Sequence, residues 1–163
     1  MERIIDVAQY IYDEYKRQSG EAIDEMKLHK LLYFTQRECI AVTNEPMFNE
    51  SFEGWKYGPV SGIVRMCYTK DGMYVEDARE ISVENAYIVK NVILQYGSLA
   101  SWKLSQISHK ESSWINSRKG IPEGANGNVV LKIEDIRKDA EKVRPYDSVW
   151  DMYYDEFEEL EVI

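Results

Sequence analysis

The sequence predicts a mainly α-helical fold, a compact bundle of about six helices with one or two short extended segments around Phe52–Tyr57 and Val129–Leu131. Three observations predict it. Apolar residues recur at helical spacing in segment after segment. Capping residues and glycines punctuate those segments where helices should start and stop. The aromatic-rich stretch from Phe52 to Tyr57 is too short for a helix before Gly58-Pro59, which leaves it a strand at most.

The first helix places Ile4, Ala8, Ile11 and Tyr15 on one face, widened by Val7 and Tyr12, and Ser19-Gly20 ends it. Asp24 suits the N-cap of a second helix. Its apolar stripe is Leu28, Leu31, Leu32, Cys39 and Val42, and Lys27, Lys30, Gln36, Arg37 and Glu38 fall mostly outside the stripe. Asn44 and Pro46 close it. Pro59 is expected in the first turn of a third helix, where its missing N–H costs nothing. Val60, Ile63, Val64 and Cys67 carry that helix to Asp71-Gly72.

Ser82 caps a fourth helix bearing Ala86, Val89, Val92, Ile93 and Tyr96, with Gly97 as its end. Ser98 is expected to cap a short fifth helix with Leu99, Trp102, Leu104 and Ile107. Ser112-Ser113 then turns the chain into one helical turn from Trp114 to Lys119. The stretch GIPEGANGN must be a loop. Ile133, Ile136, Ala140 and Val143 mark a sixth helix, broken at Pro145. The boundary falls there, with a helical domain over 1–144 and an acidic, aromatic helix or tail over 145–163.

Composition narrows the function. The chain has 163 residues, 44% of them apolar and 30% charged, and a net charge of −9. That is the balance of one globular domain with a single core. Of 29 acidic residues, seven lie in 147–163, where no basic residue stands; the rest of the chain is nearly neutral, with 20 basic residues against 22 acidic. An acidic surface repels phosphate, so neither a nucleic-acid partner nor a membrane surface is expected. Twelve tyrosines and four tryptophans favour protein contacts modestly. The N-terminal stretch MERIIDVAQYIYDEYKR is charged throughout, unlike a signal peptide or membrane span, so the cytoplasm is the expected compartment. Cys39 and Cys67 lie in apolar helical patterns and read as buried thiols in a reducing compartment.

Catalytic equipment is hard to assemble from these residues. His29 and His109 stand apart, and His29 has Lys27 and Lys30 beside it, a poor setting for a cation; a structural role at the surface or half-buried suits it better. No metal site and no cofactor is expected. Ser108, His109 and Glu111 suggest a nucleophile, but neighbouring helical residues point about 100° apart.

Three blocks carry more information: KLHKLLYFTQ (27–36), FEGWKYGPV (52–60) and YGSLASWKLSQISHKESSWINSRKG (96–120). Together and in this order they resemble the Panacea, or SocA-like, antitoxin domain family, which includes phage-associated GepA-like proteins. The likeness runs over roughly 1–144. Gly54 stands where the family usually has an alanine or a similar residue, and Ser108 and Ser113 stand where it often has Thr and Pro. The family motif falls on Lys27, Lys30, Leu31, Tyr33, Trp55, Tyr57, Gly58, Pro59, His109, Glu111, Trp114 and Arg118.

The resemblance implies a mainly helical antitoxin, not an enzyme, that binds a cognate toxin directly; some members instead deliver the toxin to a cellular protease, and a chaperone is a further conceivable partner. The motif residues admit two roles, holding the fold or lining a binding groove. His109, Glu111 and Arg118 are expected to form a polar cluster joining the fifth helix to the turn after it. The tail has two readings as well. Its Trp150, Tyr153, Tyr154, Phe157, Glu158 and Glu159 either pack as a solvated helix or form an arm for a basic partner, since uncompensated acidic residues destabilise a helix alone. The alternative function is a phage or prophage protein that binds a host or defence factor, with this tail imitating nucleic acid.

Overall fold

The second helix is the axis on which everything else is hung. In the computed structural model, which describes residues 1–149, it runs from Glu25 to Thr43 as α2. Around it lie α1 (Ile4–Ser19), α4 (Val83–Tyr96), α5 (Ser101–Ser108) and α7 (Ile133–Glu141), each packed directly on it. A hairpin of β1 (Glu53–Trp55) and β2 (Gly58–Val60) covers its N-terminal half, followed by the short α3 (Gly62–Cys67). A second, two-residue-strand hairpin, β3 (Tyr68–Thr69) with β4 (Gly72–Met73), leads back toward α4. The short α6 (Ser112–Ser117) packs on α7 and β1. The architecture is mainly α, with two small antiparallel sheets among the described residues.

The ends of the helices follow from their caps. Asp24 accepts the Lys27 N–H at 2.8 Å, and Ser82 accepts that of Asn85 at 3.2 Å, as the N-terminal signals predict. Gly20 and Asn44 adopt left-handed backbone after α1 and α2. Three expectations fail. Pro59 lies in β2 instead of opening α3; Ser61 is the cap there, accepting the Val64 N–H, because Pro59 has no N–H to donate and sits where the strand needs only its carbonyl. Val60 belongs to that strand too. Ser98 does not cap α5, whose N-cap is Ala100 with no side-chain bond.

The largest correction concerns α2. Its polar residues were expected mostly off the apolar stripe, yet every residue from Lys27 to Ile40 is buried. A helix enclosed on all sides has no solvent face, so Lys27, Lys30, Gln36, Arg37 and Glu38 had to find partners inside. His29, expected at or near the surface, is 2% exposed for the same reason. The apolar core forms around this helix from Ile4, Val7, Ile11, Leu28, Leu31, Phe34, Phe48, Phe52, Val89 and Leu104.

The extended segment expected near Val129 pairs as an isolated antiparallel bridge, Glu53 with Val130, instead of a full strand. Gly54 donates its N–H to the Val129 carbonyl and Leu131 to that of Phe52, both at 2.8 Å. Cys39 is buried, Cys67 is partly buried, and both are free thiols. The tail residues Trp150, Tyr153, Tyr154, Phe157, Glu158 and Glu159 lie outside the described residues.

Candidate functional site

Lys27, Lys30, Tyr33 and Arg37 are spaced three, three and four apart, so they rise along one side of α2. Each reaches a group on another element. Lys27 Nζ donates to the Gly97 carbonyl at 2.8 Å, placing a cation at the C-terminal end of α4. Lys30 Nζ donates to the Pro59 carbonyl at 3.0 Å. The Tyr33 hydroxyl lies 2.8 Å from Ser113 Oγ and 3.1 Å from both Glu111 Oε2 and Asp139 Oδ2. Arg37 reaches Glu111 Oε1 at 2.5 Å, the Tyr96 hydroxyl at 2.8 Å and Glu38 at 3.1 Å.

The Arg37 group is a closed network that ties α2 to α4, α6 and α7. Asp139 of α7 accepts the N–H groups of Ser112 and Ser113, at 2.7 and 2.9 Å, and so satisfies the start of α6. Burial opposes the Arg37 charge, but Glu111, Tyr96 and Glu38 outweigh it and hold the guanidinium protonated. Burial also pushes the Glu111 carboxyl up, Asp139 adds to this, and Arg37 pulls it back. Among the described residues Arg37 Nε and Glu38 Oε2 are the network's unmatched buried atoms.

The third block holds the hairpin. Trp114 Nε1 donates to the Trp55 carbonyl at 2.8 Å, and Arg118 donates to the carbonyls of Gly54 and Ala125. His109 stacks on the Trp114 ring, centroids 4.1 Å apart, with the Arg118 guanidinium 5.5 Å from the same ring. Ser105 Oγ donates to the Tyr57 carbonyl at 2.7 Å. With Lys30 on Pro59, the carbonyls of 54, 55, 57 and 59 are thus all claimed by side chains from α2, α5, α6 and the turn after it.

The expected polar cluster of His109, Glu111 and Arg118 does not form as one unit. Glu111 serves Arg37 and Tyr33, Arg118 serves the hairpin, and His109 stacks on the Trp114 indole. Nor do Ser108, His109 and Glu111 converge: Ser108 Oγ donates to the Ser105 carbonyl at 2.7 Å. A nucleophile needs a base within hydrogen-bond reach, and the Ser108 hydroxyl instead donates its hydrogen bond to a backbone carbonyl, which is no base.

Two glycines make this packing possible. A Cβ on Gly54 would stand 1.9 Å from Ser117 Oγ, which explains why alanine does not occupy that place here. Gly58 has φ +121°, and a Cβ there would lie 2.6 Å from Lys30 Cε and 2.5 Å from Ser108 Oγ, blocking the lysine's path beneath the hairpin.

Beside the hairpin, a cleft of about 550 Å³ opens between α2, the β1–β2 turn, α3 and the loop at 126–127. Met26, Trp55, Tyr57 and Val60 form its apolar walls, and Lys30, Lys56 and Arg65 bring positive charge to it. Arg65 covers the Trp55 ring at 5.0 Å, and Lys56 lies 5.1 Å from the Tyr57 ring centroid. His29 lines the same cleft. Its Nδ1 accepts the Ser61 N–H at 3.3 Å, so Nε2 carries the proton and donates to Glu25 Oε2 at 3.1 Å. Burial, reinforced by Lys30 and Arg65, holds its pKa down at about 3, so the ring is neutral.

A family model described as "Antitoxin SocA-like, Panacea domain" matches residues 28–115 of the chain. The chain belongs to the SocA-like Panacea domain family. The match takes in the α2 motif, the hairpin and the first part of the third block. One curated relative, "Antitoxin SocA" of Caulobacter vibrioides (strain NA1000 / CB15N), is 26% identical over 105 residues, 53% of this chain and 55% of that protein. The chain thus spans about half the length of that relative. No solved structure matches it.

In this Panacea domain the motif residues divide. Lys27, Leu31, Tyr33, Gly58, Pro59, His109, Glu111, Trp114 and Arg118 make contacts within the scaffold. Lys30, Trp55 and Tyr57 do that and also line the cleft. Sequence reasoning missed Asp139 and Tyr96 in the network, and Met26, Arg65 and the 126–127 loop at the cleft. The signal for Arg37 was available in its helical spacing from Lys27, Lys30 and Tyr33; Asp139 and Arg65 come from distant segments and carried none. Among the described residues no group of His, Cys, Asp and Glu is placed to hold a metal ion, and no helix is long and apolar enough to cross a membrane.

Proposed function

We propose that this chain is an antitoxin-type protein of a toxin–antitoxin system, which neutralises a partner toxin in the cytoplasm by direct protein–protein binding and without a catalytic step. The observation that carries the reading is membership of the SocA-like Panacea family over 28–115, to which the likeness to a protein named Antitoxin SocA adds. The geometry supports it. Lys27 and Arg37 of α2 and Glu111 and Arg118 of the third block hold elements together. What they hold in place is a half-open aromatic cleft, a surface suited to a partner's side chains.

The same contact serves either of two routes, occlusion of the toxin or its presentation to a protease. Co-expression with the toxin encoded by the neighbouring gene tests the reading. Growth should be restored, and the two proteins should copurify in fixed stoichiometry. Rescue that survives in a host lacking its cytoplasmic proteases assigns occlusion; rescue lost there assigns delivery. Failure to bind or rescue from any adjacent candidate toxin overturns the proposal.

A further inference from the structure

The cleft beside the hairpin has a charge that the chain as a whole does not. The protein carries a net charge of −9, yet Lys30, Lys56 and Arg65 face this cleft against the single carboxylate of Glu25. Glu25 is already engaged, by His29 at 3.1 Å and Arg65 at 3.3 Å. Lys30 is the unusual member. It is 1% exposed and has three donors, and its one hydrogen bond among the described residues is to the Pro59 carbonyl. No described carboxylate lies within 4.0 Å of its Nζ. A buried ammonium whose nearest carboxylates, Asp24 and Glu25, act only from beyond ion-pair distance is costly to keep, whereas Arg37 on the same helix is met by carboxylates directly.

The walls define the rest of the occupant. Trp55, Tyr57, Met26 and Val60 are apolar or aromatic, and Tyr57 is 53% exposed at the mouth. On α3, beside Arg65, Ile63 and Met66 are exposed at 49% and 86%. A volume of about 550 Å³ admits one or two large side chains.

We infer that this cleft is the toxin-docking site, and that it receives a segment of the toxin in which an Asp or Glu adjoins a bulky apolar residue. The apolar side chain packs between Trp55, Tyr57 and Met26. The carboxylate meets Lys30, with Lys56 and Arg65 at the rim drawing it in. The inference rests on the toxin-binding reading above.

Burial lowers the Lys30 pKa to about 7, against the upward pull of Asp24 and Glu25. A docked carboxylate favours the ammonium form and raises that pKa again. Binding at pH 8 should therefore take up close to one proton at Lys30, a signature that contact at another surface would not produce.

The test uses the full chain with the toxin that it neutralises. A benzophenone side chain placed at Tyr57 should cross-link to a toxin segment holding an Asp or Glu beside a large apolar residue. Lys56→Glu, whose wild-type side chain makes no ion pair among the described residues, should weaken the complex about tenfold, with far-UV circular dichroism and melting unchanged. Arg65→Gln, which gives up the Glu25 pair without adding a like charge beside it, should weaken it as well. Reversing the partner's carboxylate to Lys should restore affinity to Lys56→Glu. Calorimetry at pH 8 in two buffers of different ionisation enthalpy should show proton uptake that Lys30→Met removes. Cross-links to a segment without a carboxylate, or rim variants that bind as the wild type does, overturn the cleft assignment while toxin binding stands. A wild-type chain that binds no toxin overturns both.

Discussion

Lys30 and Arg37 are about two turns apart on the same face of one helix, and both are buried, yet they live under opposite rules. Arg37 is surrounded by acceptors: two carboxylates and a phenol hydroxyl meet its two terminal nitrogens. Lys30 has a backbone carbonyl on one side and a cleft on the other. The lesson is that burial of charge alone does not mark function. A buried cation whose counter-charges are present in the fold is scaffold. One that no described carboxylate contacts, beside an opening large enough to admit one, is the cation of the proposed docking site.

The sharpest way to break this contrast is to treat both residues alike. Arg37→Met strands Glu111 and Glu38 without their cation, and should cost about 3–5 kcal/mol, read as a fall in the urea midpoint at unchanged slope. The double variant Arg37→Met, Glu111→Gln should recover part of that loss, since it removes a stranded charge as well. An Arg37→Met protein as stable as the wild type would show that the network is not what ties α2 to α6 and α7.

The hairpin that separates the two regimes offers the next test. Gly54→Ala drives a methyl into Ser117 Oγ and should destabilise by about 1–3 kcal/mol. Ser117→Gly in the same chain should relieve most of it. Thermal unfolding of the pair measures the coupling, and simple additivity would place the strain elsewhere.

A smaller effect comes from His29, on the cleft side. Its folded pKa lies near 3, below the usual 6.5 of the unfolded chain. Between those values the unfolded chain binds a proton that the folded chain refuses, so stability falls as pH falls. The slope from this residue is at most about 1.4 kcal/mol per pH unit. Glu38 and Glu111, whose carboxyls burial pushes up, act in the opposite sense and soften the same limb. Comparing wild type with His29→Gln cancels them. The variant's stability, followed by denaturant titration from pH 7 to pH 4, should fall less steeply than that of the wild type.

Lys30→Met should change stability least at pH 7, staying within about 1 kcal/mol of the wild type there, because it removes a buried charge that no described carboxylate meets at ion-pair distance. The sign has a pH dependence. Because the folded pKa is lowered, wild-type stability rises as Lys30 deprotonates between about pH 7 and the unfolded value of 10.5, so any advantage of the variant shrinks over that window. Melting curves at pH 7 and pH 9 check it. A loss as large as that of Arg37→Met would erase the distinction between the two ends of the helix.

Much of the fold was legible because local chemistry decides where helices begin and end. Asp24, Ser82, Gly20 and Asn44 marked termini by hydrogen bonds and backbone preferences that operate within four residues. Pro59 misled for an instructive reason: Gly58-Pro59 reads equally well as a helix entry or as a strand whose missing N–H does no harm, and only the pairing with β1 chooses. At the site, the three motif blocks brought forward Lys30, Trp55 and Tyr57. They could not separate these from Tyr33 or Trp114, whose work is on the scaffold, since both kinds of residue carry the same local signature. Arg65 and the 126–127 loop belong to the cleft by position alone.

The sequence by itself therefore determined the helices, their caps, the mainly α class and the residues that bind the three blocks into one family pattern. Those are short-range matters of spacing, caps and residue type. Only the tertiary structure decided that α2 would be enclosed on every side, that Arg37 would be met by Glu111 from α6's N-cap and screened by Tyr96 of α4, and that Lys30 would face an opening instead. Charge compensation in a dry interior depends on which distant groups arrive within hydrogen-bond reach, and a one-dimensional pattern does not carry that distance.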